Sequence, residues 1–83
     1  MQLESLRTSD LYLAAYIHCL MAPTMRDLEY AGRQASFIFA PNSKEEADQL
    51  QQLRRGWVNG TGMVAAVRYA QSVKMLKGLV HNQ

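Results

Sequence analysis

Eighty-three residues with a net charge of +2 make one domain and leave no room for a second. Hydrophobic residues are 48% of the chain, which excludes a disordered polyelectrolyte and supplies a core. The single cysteine, Cys19, excludes an intrachain disulfide, and with His18 and His81 it makes a poor ligand set for a zinc ion that usually needs four.

A core this small is marginal alone, so a partner subunit is the expected extra source of stability. Glu4 and Asp10 stand where a secretory leader would be cationic. The apolar run 11–21 is about half the ~20 residues of a membrane span. These features give the expectation of a cytoplasmic protein with no membrane contact. Asn59-Gly60-Thr61 matches a glycosylation pattern that carries no meaning without export.

The first predicted element is a helix ending near Met21. Thr8 or Ser9 serves as its N-cap and Asp10 sits in its first turn. Residues 1–7 read as a flexible segment before it. Ala22-Pro23 stops the helix, because the residue before proline leaves the α region. From Thr24 to Ala40 two short runs flank Gly32 and read as a β-hairpin. Asp27 and Glu29 mark the wet side of the first strand. The second, with Phe37, Ile38 and Phe39, reads as a strand covered on both faces.

Ser43 and Glu46 have capping-box spacing before a second helix, Lys44 to about Val58. Ala47, Leu50, Leu53, Trp57 and Val58 form its apolar stripe. Residues 59–62 turn the chain. A third helix runs from about Met63 to Val80, with Val64, Val67, Ala70, Val73, Leu76 and Val80 as a broad apolar face. The end, 82–83, is expected to fray.

Charge is unevenly placed. Residues 1–48 hold seven acids and four Lys or Arg, a net of −3. Residues 49–83 hold Arg54, Arg55, Arg68, Lys74 and Lys77 and no acid, a net of +5. A segregated basic half suits nucleic acid. The same placement complements helix dipoles, with acids at the start of the second helix and cations late in the second and third. Arg54, Arg55, Lys74 and Lys77 are the candidate nucleic-acid contacts. They lack interleaved aromatics, and Arg68 points nearly opposite to Lys77 on a helix.

Gly60-Thr61-Gly62 lacks the preceding strand and following lysine of a phosphate loop and reads as a turn between helices. Cys19 and His18 are adjacent, so on a helix they diverge and form no nucleophile–base pair. Cys19 reads as inert, and His18 as a wet-edge residue or a polar contact across an interface. Leu13, Ile17 and Leu20 form the stripe expected to face the core. Tyr12, Ala15, Tyr16 and Cys19 remain as the candidate interface, with Tyr12 and Tyr16 four residues apart on one face; the alternative reading makes Tyr12 and Tyr16 ordinary core residues, wrapped by the hairpin and the third helix.

"TSDLYLAAYI", "FIFA", "WVNG" and "VRYAQSVKMLKGLVHN" together resemble a family of short prokaryotic proteins known only as a domain of unknown function. The resemblance runs from about Thr8 to Asn82. It rests on Ser9, Asp10, Leu11, Leu13, Ala14, Ala15, Tyr16, Phe37, Phe39, Trp57, Gly60, Val64, Tyr69, Leu76 and Lys77. The family pattern has a polar, often acidic residue after the valine matched by Val64, where this chain has Ala65. The resemblance implies a complete, free-standing unit. It brings no activity, cofactor or catalytic residue.

The expectation is therefore a single α+β domain, 1–83, in the order α-β-β-α-α, with an antiparallel hairpin packed on three helices. No catalytic, cofactor or metal-binding residue is assigned. The functional expectation is a non-enzymatic interaction module, a homodimer or a subunit of a larger assembly. The alternative is a nucleic-acid-binding accessory protein.

Overall fold

A computed structural model describes residues 3–81. The expected fray at 82–83 lies outside them. The chain is a small α+β domain of two layers, a three-stranded antiparallel sheet and three helices. The order is β1 (Leu6–Thr8), α1 (Leu11–Met21), β2 (Met25–Ala31), β3 (Gln34–Phe39), α2 (Lys44–Asn59) and α3 (Ala66–His81), with a 3-10 turn at Ala22–Thr24.

The first strand is the main departure from expectation. Leu6 and Arg7, read as part of a flexible segment, lie in β1, which pairs with β3 in the sheet order β1-β3-β2. The order is thus β-α-β-β-α-α. Three residues are too few to show strand alternation in a sequence, yet they close one edge of β3. Leu6 lies opposite Phe39 and Thr8 opposite Phe37. On the other side Met25 faces Phe39 and Leu28 faces Phe37. These rows, Leu6–Phe39–Met25 and Thr8–Phe37–Leu28, form the face that meets the helices.

The opposite face carries Arg7, Ser36, Ile38, Asp27 and Glu29. Arg7 bridges to Glu29 at 2.9 Å across the central strand. So β3 is covered on both edges by strands, and its apolar Ile38 is only half-buried on the outer face. That corrects the reading of a strand covered on both faces. The hairpin turn is Gly32-Arg33, between paired Ala31 and Gln34. Gly32 has φ +65° and no non-glycine residue among the described ones has positive φ, which is the signature of a type II′ turn. An irregularity between Met25 and Asp27 leaves Arg26 as an extra residue. Its guanidinium donates to Asn42 Oδ1 at 2.6 Å.

Helix α1 has the expected length but a different cap. Asp10, not Thr8 or Ser9, is the N-cap, and its carboxylate accepts from Tyr12 N and Leu13 N. Thr8 Oγ1 instead accepts from Asp10 N at 3.0 Å and joins β1 to the cap. At the other end Thr24 Oγ1 donates to Met21 O at 2.7 Å, satisfying one of the last helical carbonyls.

Helix α2 begins at a Ser43 N-cap whose hydroxyl accepts from Glu46 N. Glu46 reaches back one residue further than a standard box, accepting from Asn42 N at 2.7 Å. Gly60 ends α2 in the left-handed region at φ +73°, with its N–H bonded to Gly56 O and Trp57 O. Thr61 N and Gly62 N also donate to Gly56 O. These bonds tie residues 60–62 back to the end of α2, the chain has no regular structure through residue 65, and α3 starts at Ala66 rather than Met63.

The core is Leu6, Leu13, Ala14, Ala15, Tyr16, Ile17, Phe37, Phe39, Leu50 and Leu76. Five consecutive residues of α1, Leu13–Ile17, are buried, so the middle of this helix is wrapped on every side by its own chain. Tyr30 Oη donates to Val80 O at 3.0 Å and fastens the sheet to the end of α3. No described helix is long and apolar enough to cross a membrane.

Candidate functional site

Wrapping α1 changes the candidate interface. Ala15 and Tyr16, placed at its centre by the sequence, are buried within the chain. The Tyr16 ring packs on Trp57, centroids 5.5 Å apart, and does not stack on Tyr12. Gly62 lies directly against it: a Cβ there would meet Tyr16 Oη at 2.6 Å and Cζ at 2.8 Å. Of the four residues, only Tyr12 is exposed and Cys19 is half-buried. Leu20, assigned to the core, is exposed, because the helix layer ends beside it and leaves it at the rim with Met21, Gln49, Gln52 and Leu53.

Two features replace that interface. The first is a cleft of about 300 Å³ between α1 and α3, lined by His18, Cys19, Ala22, Arg68, Gln71, Ser72 and Met75. His18 Nδ1 and Ser72 Oγ are 3.2 Å apart. This bond satisfies a serine buried on the core side of α3, so His18 makes a contact within the chain rather than across an interface. Burial holds its pKa below the ordinary histidine value. Among the described residues no carboxylate hydrogen-bonds His18, so the pair lacks the orienting third group of a nucleophilic triad. No three described His, Cys, Asp or Glu side chains converge to hold a metal ion.

The second feature is the α2–α3 junction. Val58, Met63 and Val67 are 74%, 87% and 71% exposed, the highest values among the large described hydrophobics. The sequence pattern assigned Val58 and Val67 to apolar helix faces and Met63 to the start of the third helix. The structure corrects all three, and Ala70 with them. The buried line of α3 runs through Ser72 and Leu76 with Tyr69, Val73 and Val80 beside it. At ~100° per residue, Val67 points away from that line.

At the end of α2 is a depression of about 190 Å³ lined by Gly56, Trp57, Gly60 and Gly62. Its floor is braced by aromatic packing. Trp57 contacts Tyr16 on one side and Tyr69 on the other, at 6.5 Å between centroids. Tyr69 Oη donates to the Tyr12 carbonyl at 3.2 Å. Burial first, and then the Asp10 charge and Tyr12, raise the Tyr69 pKa above the ordinary phenol value.

The basic residues Arg54, Arg55, Arg68, Lys74 and Lys77 are all exposed. None is in an ion pair among the described residues, where Arg7–Glu29 is the one salt bridge. No family model, no curated protein and no solved structure matches this chain.

Proposed function

We propose that this chain is a small cytoplasmic, non-enzymatic association module that works as a subunit of an assembly. The observation that supports it is the α2–α3 junction. Three aliphatic side chains stand out in water within ten residues of chain, where α2 gives way to α3. Single exposed hydrophobics are ordinary, but three so highly exposed and so close in the chain support a contact site. The homodimer form of this reading, built on α1, loses its centre because Ala15 and Tyr16 are internal. The form in which the chain joins a larger assembly keeps its surface at the junction.

Gel filtration of a lysate from the native host tests this. The chain is expected in a species larger than its monomer. The Met63→Ser/Val67→Ser variant, whose changed side chains touch solvent, is expected at the monomer position with an unchanged circular dichroism spectrum. Wild type at the monomer position would sink the reading.

A second reading, a nucleic-acid accessory protein, is supported by five exposed cations with no ion-pair partner among the described residues. Binding to a DNA duplex with a steep loss between low and moderate salt is its expected mark.

A further inference from the structure

The cleft between α1 and α3 is separate from the α2–α3 junction, since Val58, Met63 and Val67 take no part in its walls. Its α3 wall is one helical row. Arg68, Gln71, Ser72 and Met75 follow the i, i+3, i+4, i+7 spacing that brings side chains to one face. A face turned toward a neighbouring helix is ordinarily apolar, yet only Met75 of this row is. The opposite wall carries His18 and Cys19 of α1, with Ala22 at its end.

The α3 wall is polar at one end and apolar at the other. Arg68 and Met75 lie seven residues apart, about 10 Å along the helix, with Gln71 and Ser72 between them. The polar groups are rich in donors. The guanidinium has five N–H groups and the Gln71 amide two. His18 Nδ1 is 3.2 Å from Ser72 Oγ, and a serine that donates to Nδ1 leaves the ring proton on Nε2 as a further donor. No acid opposes them. Neither α1 nor α3 contains an Asp or Glu, and no described one lines the cleft. Arg68 has no ion-pair partner among the described residues. The volume, about 300 Å³, stands at the small end of ligand pockets, which run from ~300 to ~1,000 Å³.

We infer that this cleft binds a small amphipathic anion, an oxyanion head (carboxylate or phosphate) on a short aliphatic body. Arg68 takes the head through parallel N–H bonds, the geometry in which a guanidinium meets an oxyanion. Gln71 adds its amide from the same wall and His18 its free ring nitrogen from the other. The body lies along Cys19, Ala22 and Met75. Binding involves no reaction, so it adds a ligand to the module without making it an enzyme. Burial holds the His18 pKa below its ordinary value, and an anion beside the ring favours the charged form. Occupancy therefore raises that pKa, and by linkage the affinity rises as pH falls. The other ionisable groups lining the cleft are Cys19 and Arg68, and Arg68 stays charged throughout.

The probes are hexanoate, hexyl phosphate and hexylammonium, with acetate and inorganic phosphate as heads without a body. Each is titrated into the purified protein, with the His18 ring and the amides of α1 and α3 followed by NMR. At least one hexyl anion is expected to bind saturably, near ~1 mM for a ligand of about eight non-hydrogen atoms. The tighter of the two fixes the head. Hexylammonium is expected not to bind, and the bare heads to bind at least about tenfold more weakly. Arg68→Ala, a change at an exposed side chain, should weaken the hexyl anion about tenfold or more with Tm unchanged. Met75→Ser should weaken it and spare the bare heads. Hexanoate should bind more tightly at about pH 6 than at about pH 8, and His18→Gln should lose that slope while Cys19→Ala keeps it.

No binding of either hexyl anion, binding of hexylammonium as tight as theirs, or an Arg68→Ala variant that binds like wild type would overturn the inference. So would bare heads as tight as the hexyl anions, or a bound anion that leaves the His18 pKa unmoved. None of these results touches the association reading, which rests on the other surface.

Discussion

Gly62→Ala puts the packing of the junction to a direct test. The added Cβ lands 2.6 Å from Tyr16 Oη, 2.8 Å from Cζ and 3.3 Å from Cε1. Two of these distances are shorter than side chains tolerate, so something must move. The tyrosine tip is the part nearest, but Tyr16 is buried and its ring lies on Trp57. The alternative is to shift the connection, whose Gly62 N–H is tied to Gly56 O at 3.1 Å. Overpacking a filled site costs about 1–3 kcal/mol. For a domain of this size each kcal/mol lowers Tm by roughly 4–8 °C, so a fall of about 8–16 °C is expected for ~2 kcal/mol. Thermal unfolding followed by circular dichroism measures it. The same substitution in a Tyr16→Phe background is the decisive comparison. Removing the hydroxyl deletes the 2.6 Å contact and keeps the one at Cζ. The cost should therefore shrink, with a coupling of about 0.5–1 kcal/mol. A neutral Gly62→Ala, or an equal cost in both backgrounds, would refute the reasoning.

Other substitutions bear on the cap, the added strand and the cleft. Asp10→Ala should lose about 1 kcal/mol in urea titration, because two helical N–H groups lose their acceptor, while Ser9→Ala should be near neutral. Leu6→Ala should lose about 2–3 kcal/mol from a buried site, and the exposed Arg7→Ala under ~1 kcal/mol despite its salt bridge. His18 is held neutral by burial in a cleft that Arg68 also lines. Its folded pKa lies below the unfolded value of 6.5, so its contribution is intact above that pH and is lost as pH falls through the folded value. Tm should therefore decline between about pH 7 and pH 5, and less steeply in His18→Gln. An equal slope in both would remove His18 as the cause.

The helices and the hairpin were legible because their signals are local. Ser43 and Glu46 announce α2, Ala22-Pro23 ends α1, and Gly32 sits where a type II′ turn needs it. What escaped depends on distant partners. Leu6–Thr8 is a strand only because β3 offers it an edge. Tyr16 is core only because Trp57 and Gly62 close over it. The candidate site was misread for the opposite reason. Val58 and Val67 fit an apolar periodicity, but periodicity does not say which line of a helix meets the core. Gly60 and the hydrogen bonds to Gly56 O delay α3 to Ala66, and the line that faces inward runs through Ser72 and Leu76. The basic half was visible in the sequence. Its lack of ion pairs among the described residues needed the fold.

The most direct measurement sets the junction against α1. Met63→Ser/Val67→Ser and Tyr12→Ser/Leu20→Ser change two exposed hydrophobics each, on different parts of the surface. Both are compared with wild type by gel filtration of host lysate, after circular dichroism shows the fold retained. The account expects the junction variant alone to leave the large species and run as monomer. Loss of that species with the α1 variant, and its persistence with the junction variant, would contradict it.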